Sequence, residues 1–175
     1  MTETELLGIQ ANMLFFYYQN LGEAVIFYKD ILGLEIVLDY GFAKVFQVSK
    51  TLFLGLVDEN RGMHKANEPK TVTLSTVTGE IDEWYEYLVK KGVPMHRPLI
   101  NSTRLPIRGF VALDPEGYFL EFETFLQHPQ NEKMLPRLSP ANAVYPSDNL
   151  QTSRPKKLGV LANIIWLYYK NLEEA

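Results

Sequence analysis

The segment Asp114-Pro115-Glu116-Gly117-Tyr118-Phe119-Leu120-Glu121-Phe122-Glu123 decides the fold. Asp-Pro begins a tight turn, and Gly117 supplies the positive φ angle that such a turn needs. The residues after it alternate in character, which predicts a strand. Glu121 lies in the middle of that strand, and burying a carboxylate costs several kcal/mol unless a cation, a metal or hydrogen-bond donors meet it. Glu121 is therefore the first candidate for a functional side chain.

The order strand, helix, strand, strand, strand occurs twice along the chain. In residues 11–58, an aromatic strand-like run precedes a helix that Asn20 caps and Gly33 ends, and three further strand-like runs follow. Residues 70–125 repeat this order, with a helix whose apolar stripe includes Trp84. Neither copy can bury its sheet face alone, so we expect the two copies to pair. The fold class is α+β.

The character of the chain changes after the second copy. Five of the ten prolines fall within residues 126–157, which predicts a linker or an extended arm over the surface. Residues 162–175 then repeat residues 11–24, because Ala, Asn, Tyr-Tyr, Asn-Leu and Glu-Ala recur in register. We interpret residues 158–175 as the start of a truncated second repeat. The alternative is a natural C-terminal strand that resembles the first one by coincidence.

The apolar run at residues 161–169 needs a partner, because a long apolar strand edge invites pairing. We expect it to add to a sheet edge or to pack against another copy of the chain. The expected result is a homodimer.

Composition limits the classes of function. A net charge of -4 and a pI near 5.4 give no support for binding to nucleic acid or to anionic membranes. The absence of cysteine excludes disulfides, thiolate zinc sites and thiol nucleophiles. The acidic start lacks the features of a signal peptide, and no apolar run reaches the ~20 residues of a membrane span. We expect a cytoplasmic protein with no nucleic-acid or membrane partner.

Two motifs resemble those of a known family. The segments Phe27-Tyr28-Lys29-Asp30-Ile31-Leu32-Gly33-Leu34 and Asp114-Pro115-Glu116-Gly117-Tyr118-Phe119-Leu120-Glu121 resemble the vicinal oxygen chelate superfamily, which includes glyoxalase, the bleomycin-resistance proteins and the extradiol dioxygenases. The resemblance covers about residues 11–125. It implies a cupped eight-stranded sheet made from two βαβββ modules, with the ligand inside the cup.

Metal-using members of that superfamily place ligands on four strands that face into the cup, and Glu121 matches the last of these positions. The other three positions fall at Met13, at Leu54 or Gly55, and at Thr71 or Thr73. A divalent metal of this kind needs at least three His or carboxylate side chains in fixed geometry. The resemblance therefore implies a cup without a metal ion or another cofactor.

Period-two alternation assigns side chains to the two faces of each strand. The candidate ligand-binding residues on the cup side are Met13, Phe15, Tyr17, Thr71, Thr73, Arg108, Phe119 and Glu121. The alternate residues, among them Phe16 and Phe122, are expected to pack under the two helices. An aromatic lining suits a planar ligand that stacks between rings, and it equally suits a filled core.

Glu121 is also the candidate catalytic residue, and three roles stay open for it. It forms an ion pair with Arg104 or Arg108, contacts a polar group of a ligand, or acts as a general base. Glu123 lies on the same face of the strand and would repel Glu121.

Three functions are compatible with these patterns. The first is a metal-free cup that binds a small aromatic or amphipathic molecule. The second is a metal-dependent lyase or extradiol-type dioxygenase whose further ligands come from a missing C-terminal domain or a partner chain. The third is a structural N-terminal domain without a site of its own. The sequence does not decide whether the chain catalyses a reaction.

Overall fold

A computed structural model describes residues 9–67 and 69–171 of the chain. The first module contains β1 (Asn12–Tyr18), α1 (Leu21–Ile26), a π-helical continuation of α1 (Phe27–Ile31), β2 (Glu35–Asp39), β3 (Ala43–Gln47) and β4 (Leu52–Asp58). The second module contains β5 (Val72–Val77), α2 (Ile81–Lys90), β6 (Met95–Asn101), β7 (Ile107–Leu113) and β8 (Phe119–Phe125). Three short 3-10 turns (Pro129–Asn131, Leu135–Arg137, Pro140–Asn142) and the strand β9 (Ala162–Leu167) follow. None of the described helices has the length and hydropathy of a membrane span.

The strands form two sheets rather than one continuous sheet. The first has the order β1-β4-β3-β2, and the second has the order β6-β7-β8-β5-β9. In both modules the first and last strands run parallel, with Phe15 opposite Gly55 and Ser75 opposite Glu121. The prediction of two like βαβββ modules is therefore confirmed, and β9 adds a fifth strand to the second sheet.

The core lies between the sheets and the two helices. The side chains of Phe16 and Phe122 are almost completely buried, as the alternation predicts. Trp84 of α2 packs on Phe122 with ring centroids 5.0 Å apart, and Tyr85 meets Phe110 edge-on at 5.2 Å. Because these residues occupy the helix side of β7 and β8, the alternate residues of both strands face away from α2.

The turn between β7 and β8 joins the two modules. Asp114 is buried, and its carboxylate accepts hydrogen bonds from the backbone N–H groups of Glu116 and Tyr118 at 3.0 and 2.8 Å. Its other oxygen accepts from the hydroxyls of Tyr18 and Tyr28 at 2.6 and 3.2 Å. The Asp-Pro-x-Gly turn thus fixes β8 against the first module through a carboxylate that four donors satisfy.

The arm, residues 126–157, docks on the modules through Arg154. This side chain is 3% exposed, and its guanidinium donates to the carbonyl oxygens of Leu32, Val144 and Leu158. It also lies over the ring of Trp84 at 4.8 Å. Burial among neutral acceptors lowers the pKa of Arg154 to about 10. The division of the chain at residues 125 and 157 stays a prediction, and residues 172–175 of the repeat lie outside the described residues.

Candidate functional site

A cavity of about 410 Å³ opens on the second sheet, on the face directed away from α2. Strands β6, β7, β8 and β9 and the turn at residues 102–106 line it. Its apolar wall includes Leu105, Ile107 and Trp166, and its polar groups include Arg97, Glu121 and Glu123. This volume lies within the range of about 300–1,000 Å³ that is typical of small-molecule sites.

Gly109 of β7 lines the cavity at a point where two strands approach closely. Gly109 lies directly opposite Glu123 in the pairing of β7 and β8. A Cβ atom at this position would lie 2.6 Å from the carbonyl oxygen of Phe122 and 3.3 Å from Cβ of Glu123. A larger residue is therefore excluded sterically, because β8 packs closely against Gly109.

Glu121 forms an ion pair with Arg97, whose Nη2 lies 3.1 Å from Oε1. Burial raises the pKa of Glu121, while Arg97 and the hydrogen-bonding side chains of Trp166 and Ser75 act in the opposite direction. The sequence-based expectation that Arg104 or Arg108 pairs with Glu121 is wrong. The partner is Arg97 of β6, which was not among the partners that the sequence suggested for Glu121.

Arg108 lies on the opposite side of the sheet from the cavity. Its Nη2 is 2.5 Å from Oδ1 of Asp82 in α2, and its Nη1 donates to Asn101. The orientation follows from the sequence, because Arg108 has the same parity along β7 as the core residue Phe110. The parity of Arg108 along β7 therefore already indicated that its side chain lies on the helix side of the sheet.

Glu123 is the more deeply buried of the two carboxyl groups, with 1% of the side chain exposed. The hydroxyl of Ser75 donates to its Oε1 at 2.6 Å. Burial raises the pKa of Glu123 to about 7, and the negative charge of Glu121 acts in the same direction, while Ser75 and Arg97 oppose it. The predicted repulsion between the two glutamates is therefore present, and Glu123 exchanges its proton near neutral pH.

Strand β9 supplies the aromatic wall of the cavity. It pairs antiparallel with β5, so that Trp166 lies opposite Thr73 and Ile164 opposite Ser75. The hydroxyl of Tyr168 is 3.5 Å from Oγ1 of Thr73. The segment adds to a sheet edge, as expected, but the edge belongs to the same chain, and the homodimer stays a prediction. Sequence reasoning found the strand through its similarity to β1 but did not place it beside Glu121.

The other candidate residues from the sequence are distributed over the molecule. Met13 and Phe15 lie on β1 with 46% and 47% exposure, and the Phe15 ring packs across Gly55. Tyr17 meets the ring of His64 edge-on at 5.2 Å. In the second module, Phe119 stacks on His96 at 4.4 Å, Thr73 is buried, and Thr71 is exposed just before β5. Of the eight candidates, only Glu121 is among the side chains that line the cavity, and the role of the others in ligand binding stays a prediction.

Comparison with known proteins places this architecture in a family. The model of the Glyoxalase/Bleomycin resistance protein/Dioxygenase superfamily matches residues 10–122. The chain belongs to this superfamily. A search of curated protein sequences finds no significant match.

Several solved structures share the superfamily fold. A glyoxalase/bleomycin resistance protein/dioxygenase from Nocardioides is 22% identical with a TM-score of 0.58, over 66% of this chain and 83% of that one. TioX from Micromonospora sp. ML1 is 15% identical with a TM-score of 0.57, over 66% and 98%. A lactoylglutathione lyase from Agrobacterium tumefaciens is 22% identical with a TM-score of 0.53, over 64% and 90%. At these identities the likeness establishes the fold alone.

The donor set does not fit the metal ion that some superfamily members use. Apart from Glu121, the matching positions carry Met, Thr, and Leu or Gly, none of which supplies a carboxylate or imidazole. The Glu121 carboxylate is itself occupied by Arg97. Within the described residues, no three His, Cys, Asp or Glu side chains are arranged so that they could hold a metal ion.

Proposed function

We propose that this member of the Glyoxalase/Bleomycin resistance protein/Dioxygenase superfamily binds a small aromatic or amphipathic molecule in the cavity of the second sheet, without a metal ion. The observation that carries the proposal is a cavity of about 410 Å³ that combines the aromatic side chains of Trp166 and Tyr168 with a few convergent polar groups. Sites for small organic molecules have this composition, because apolar walls provide affinity and a small number of polar groups fix the orientation.

The arrangement supports binding of a planar ring in one orientation. Trp166 is 43% exposed and offers an indole face that a second ring can stack against. In the same cavity, the Arg97–Glu121 ion pair and the Glu123 carboxyl group provide donors and acceptors. A ligand with an apolar ring and one polar end can contact both the aromatic and the polar groups of the cavity.

A direct test measures binding of a neutral aromatic probe, 2-naphthylmethanol, by saturation-transfer NMR and isothermal titration calorimetry. The expected result is saturable binding to one site, weakened about ten-fold in Trp166→Ala because a stacked ring contributes about 1 kcal/mol beyond its area. Tyr169→Ala is the matched control, since Tyr169 is an exposed aromatic residue that follows β9 and does not line the cavity. Absence of binding, or equal losses in the two variants, would exclude this function.

The retained carboxylate at Glu121 favours a second candidate, a metal-dependent lyase or extradiol-type dioxygenase. Such an enzyme would need further ligands from a segment or chain beyond the described residues, because Glu121 alone cannot hold a divalent ion. Metal analysis of the purified protein separates the two functions. The binding function predicts no stoichiometric Zn, Mn, Ni or Fe, whereas one equivalent that is lost in Glu121→Ala supports the enzyme.

A further inference from the structure

Glu123 is a buried acid without a direct ion-pair partner among the described residues. Within the described residues, no basic side chain lies within 4.0 Å of it. Ser75 is the one described donor to its carboxyl group, and it bonds to Oε1. The second oxygen, Oε2, has no hydrogen-bond partner in the described part of the chain, while the residue lines the cavity. A carboxylate in this environment stays poorly solvated until a donor or a cation enters the cavity.

The other charges of the cavity are already balanced or solvated. Glu121 and Arg97 neutralise each other at 3.1 Å. Arg104 lines the cavity from the exposed turn at residues 102–106, where water and salt screen its charge. Glu123 is therefore the charged group of the cavity that would gain most from an opposite charge, because charge interactions strengthen as water is excluded.

We propose that the cavity selects aromatic molecules that carry a basic nitrogen, with the nitrogen on Glu123 and the ring against Trp166. This inference rests on the proposed function and names the chemical class of its ligand. Glu123 lines the cavity of about 410 Å³, and that volume admits an ammonium group beside its carboxyl group. The indole of Trp166 adds attraction for a cation next to the ring.

The protonation state of Glu123 fits this role. Because burial raises the pKa of this group to about 7, the carboxyl group is poised between its neutral and ionised forms in the empty cavity. An ammonium group in the cavity stabilises the ionised form of Glu123. Without a ligand, the carboxyl group can take up a proton, so that no uncompensated charge is buried. A neutral or acidic ligand gains no such stabilisation.

Three probes of equal ring size test the selectivity by calorimetry at pH 8: 2-naphthylmethylamine, 2-naphthylmethanol and 2-naphthylacetic acid. The expected result is that the amine binds at least about ten-fold more tightly than the alcohol, with the acid weakest. If the alcohol or the acid binds as tightly as the amine, the inference is overturned while the binding function stands. If none of the three binds, both are overturned.

A pair of variants assigns the selectivity to one side chain. In Glu123→Gln, the ratio of amine to alcohol affinity is expected to fall to within about two-fold of unity, because the amide carries no charge. Asp82→Asn is the control, since this carboxylate pairs with Arg108 on the other face of the sheet and its loss leaves the ratio unchanged. A ratio that survives in Glu123→Gln would refute the assignment. The ratio in the unmodified protein tests the selectivity even if a variant does not fold.

Discussion

Replacement of Glu123 by Gln is expected to stabilise the protein, and to do so only above mildly acidic pH. The pKa of Glu123 lies at about 7 in the folded state, against an ordinary value of 4.5. Each pKa unit corresponds to about 1.4 kcal/mol, so ionised Glu123 reduces the free energy of unfolding by up to about 3 kcal/mol. An uncharged amide of the same shape does not incur this loss.

The sign of the effect follows from proton linkage. Between pH 4.5 and about 7, the folded chain holds the proton on Glu123 that the unfolded chain has released. The free energy of unfolding therefore falls as pH rises through this window, and above it Glu123 causes no further change with pH while the full loss remains. The difference between Glu123→Gln and the unmodified protein should be near zero at pH 4.5 and reach its maximum by pH 8.

Urea unfolding at pH 4.5, 6, 7 and 8, followed by circular dichroism, measures this difference. Asp82→Asn serves as the control, because the pKa of that exposed carboxyl group is lowered by Arg108 and its contribution is constant over the same pH range. A difference for Glu123→Gln that is the same at pH 4.5 and at pH 8 would refute the reasoning. It would mean that water reaches the carboxyl group freely and that the cavity floor is not desolvated.

Three further predictions concern binding, the turn and assembly. Affinity for 2-naphthylmethylamine should rise about ten-fold from pH 6 to pH 8, because the proton on Glu123 competes with the ammonium group below pH 7. The other charged groups of the cavity, Glu121, Arg97 and Arg104, keep their partners or their solvation over this range. An affinity that does not change with pH would contradict this prediction. Asp114→Ala should lower the free energy of unfolding by about 2–3 kcal/mol, since alanine leaves the four donors without their acceptor. Urea unfolding checks this, and an unchanged free energy would show that these hydrogen bonds do not stabilise the junction of the modules. Light scattering should report a homodimer, because the outer edge of β9 is unpaired within the described residues; a monomer at every concentration would exclude it.

The alternation of strands and helices was predictable because it depends on local signals. Apolar periodicity, the Asn20 cap and glycines at helix ends or turns specify each element within a few residues, and they specify both modules in the same way. The core residues under the helices followed from parity along each strand. The internal repeat also identified β9, because its residues match β1 almost position by position.

The composition of the cavity was only partly predictable, because it depends on strand register. The pairing of β6 with β7 shifts on both sides of Arg97, and each shift moves later side chains to the other face of the sheet. Alternation alone therefore could not bring Arg97 to Glu121. Likewise, the sequence showed that β9 needed an edge, but only the structure shows that the edge is β5, next to the two glutamates.

A crystal structure of the protein soaked with 2-naphthylmethylamine tests the central claim most directly. The account predicts one molecule in the cavity of the second sheet, with its ring against Trp166 and its nitrogen at hydrogen-bond distance, ~3 Å, from Glu123. A cavity filled by side chains, or a probe bound elsewhere on the surface, would contradict it.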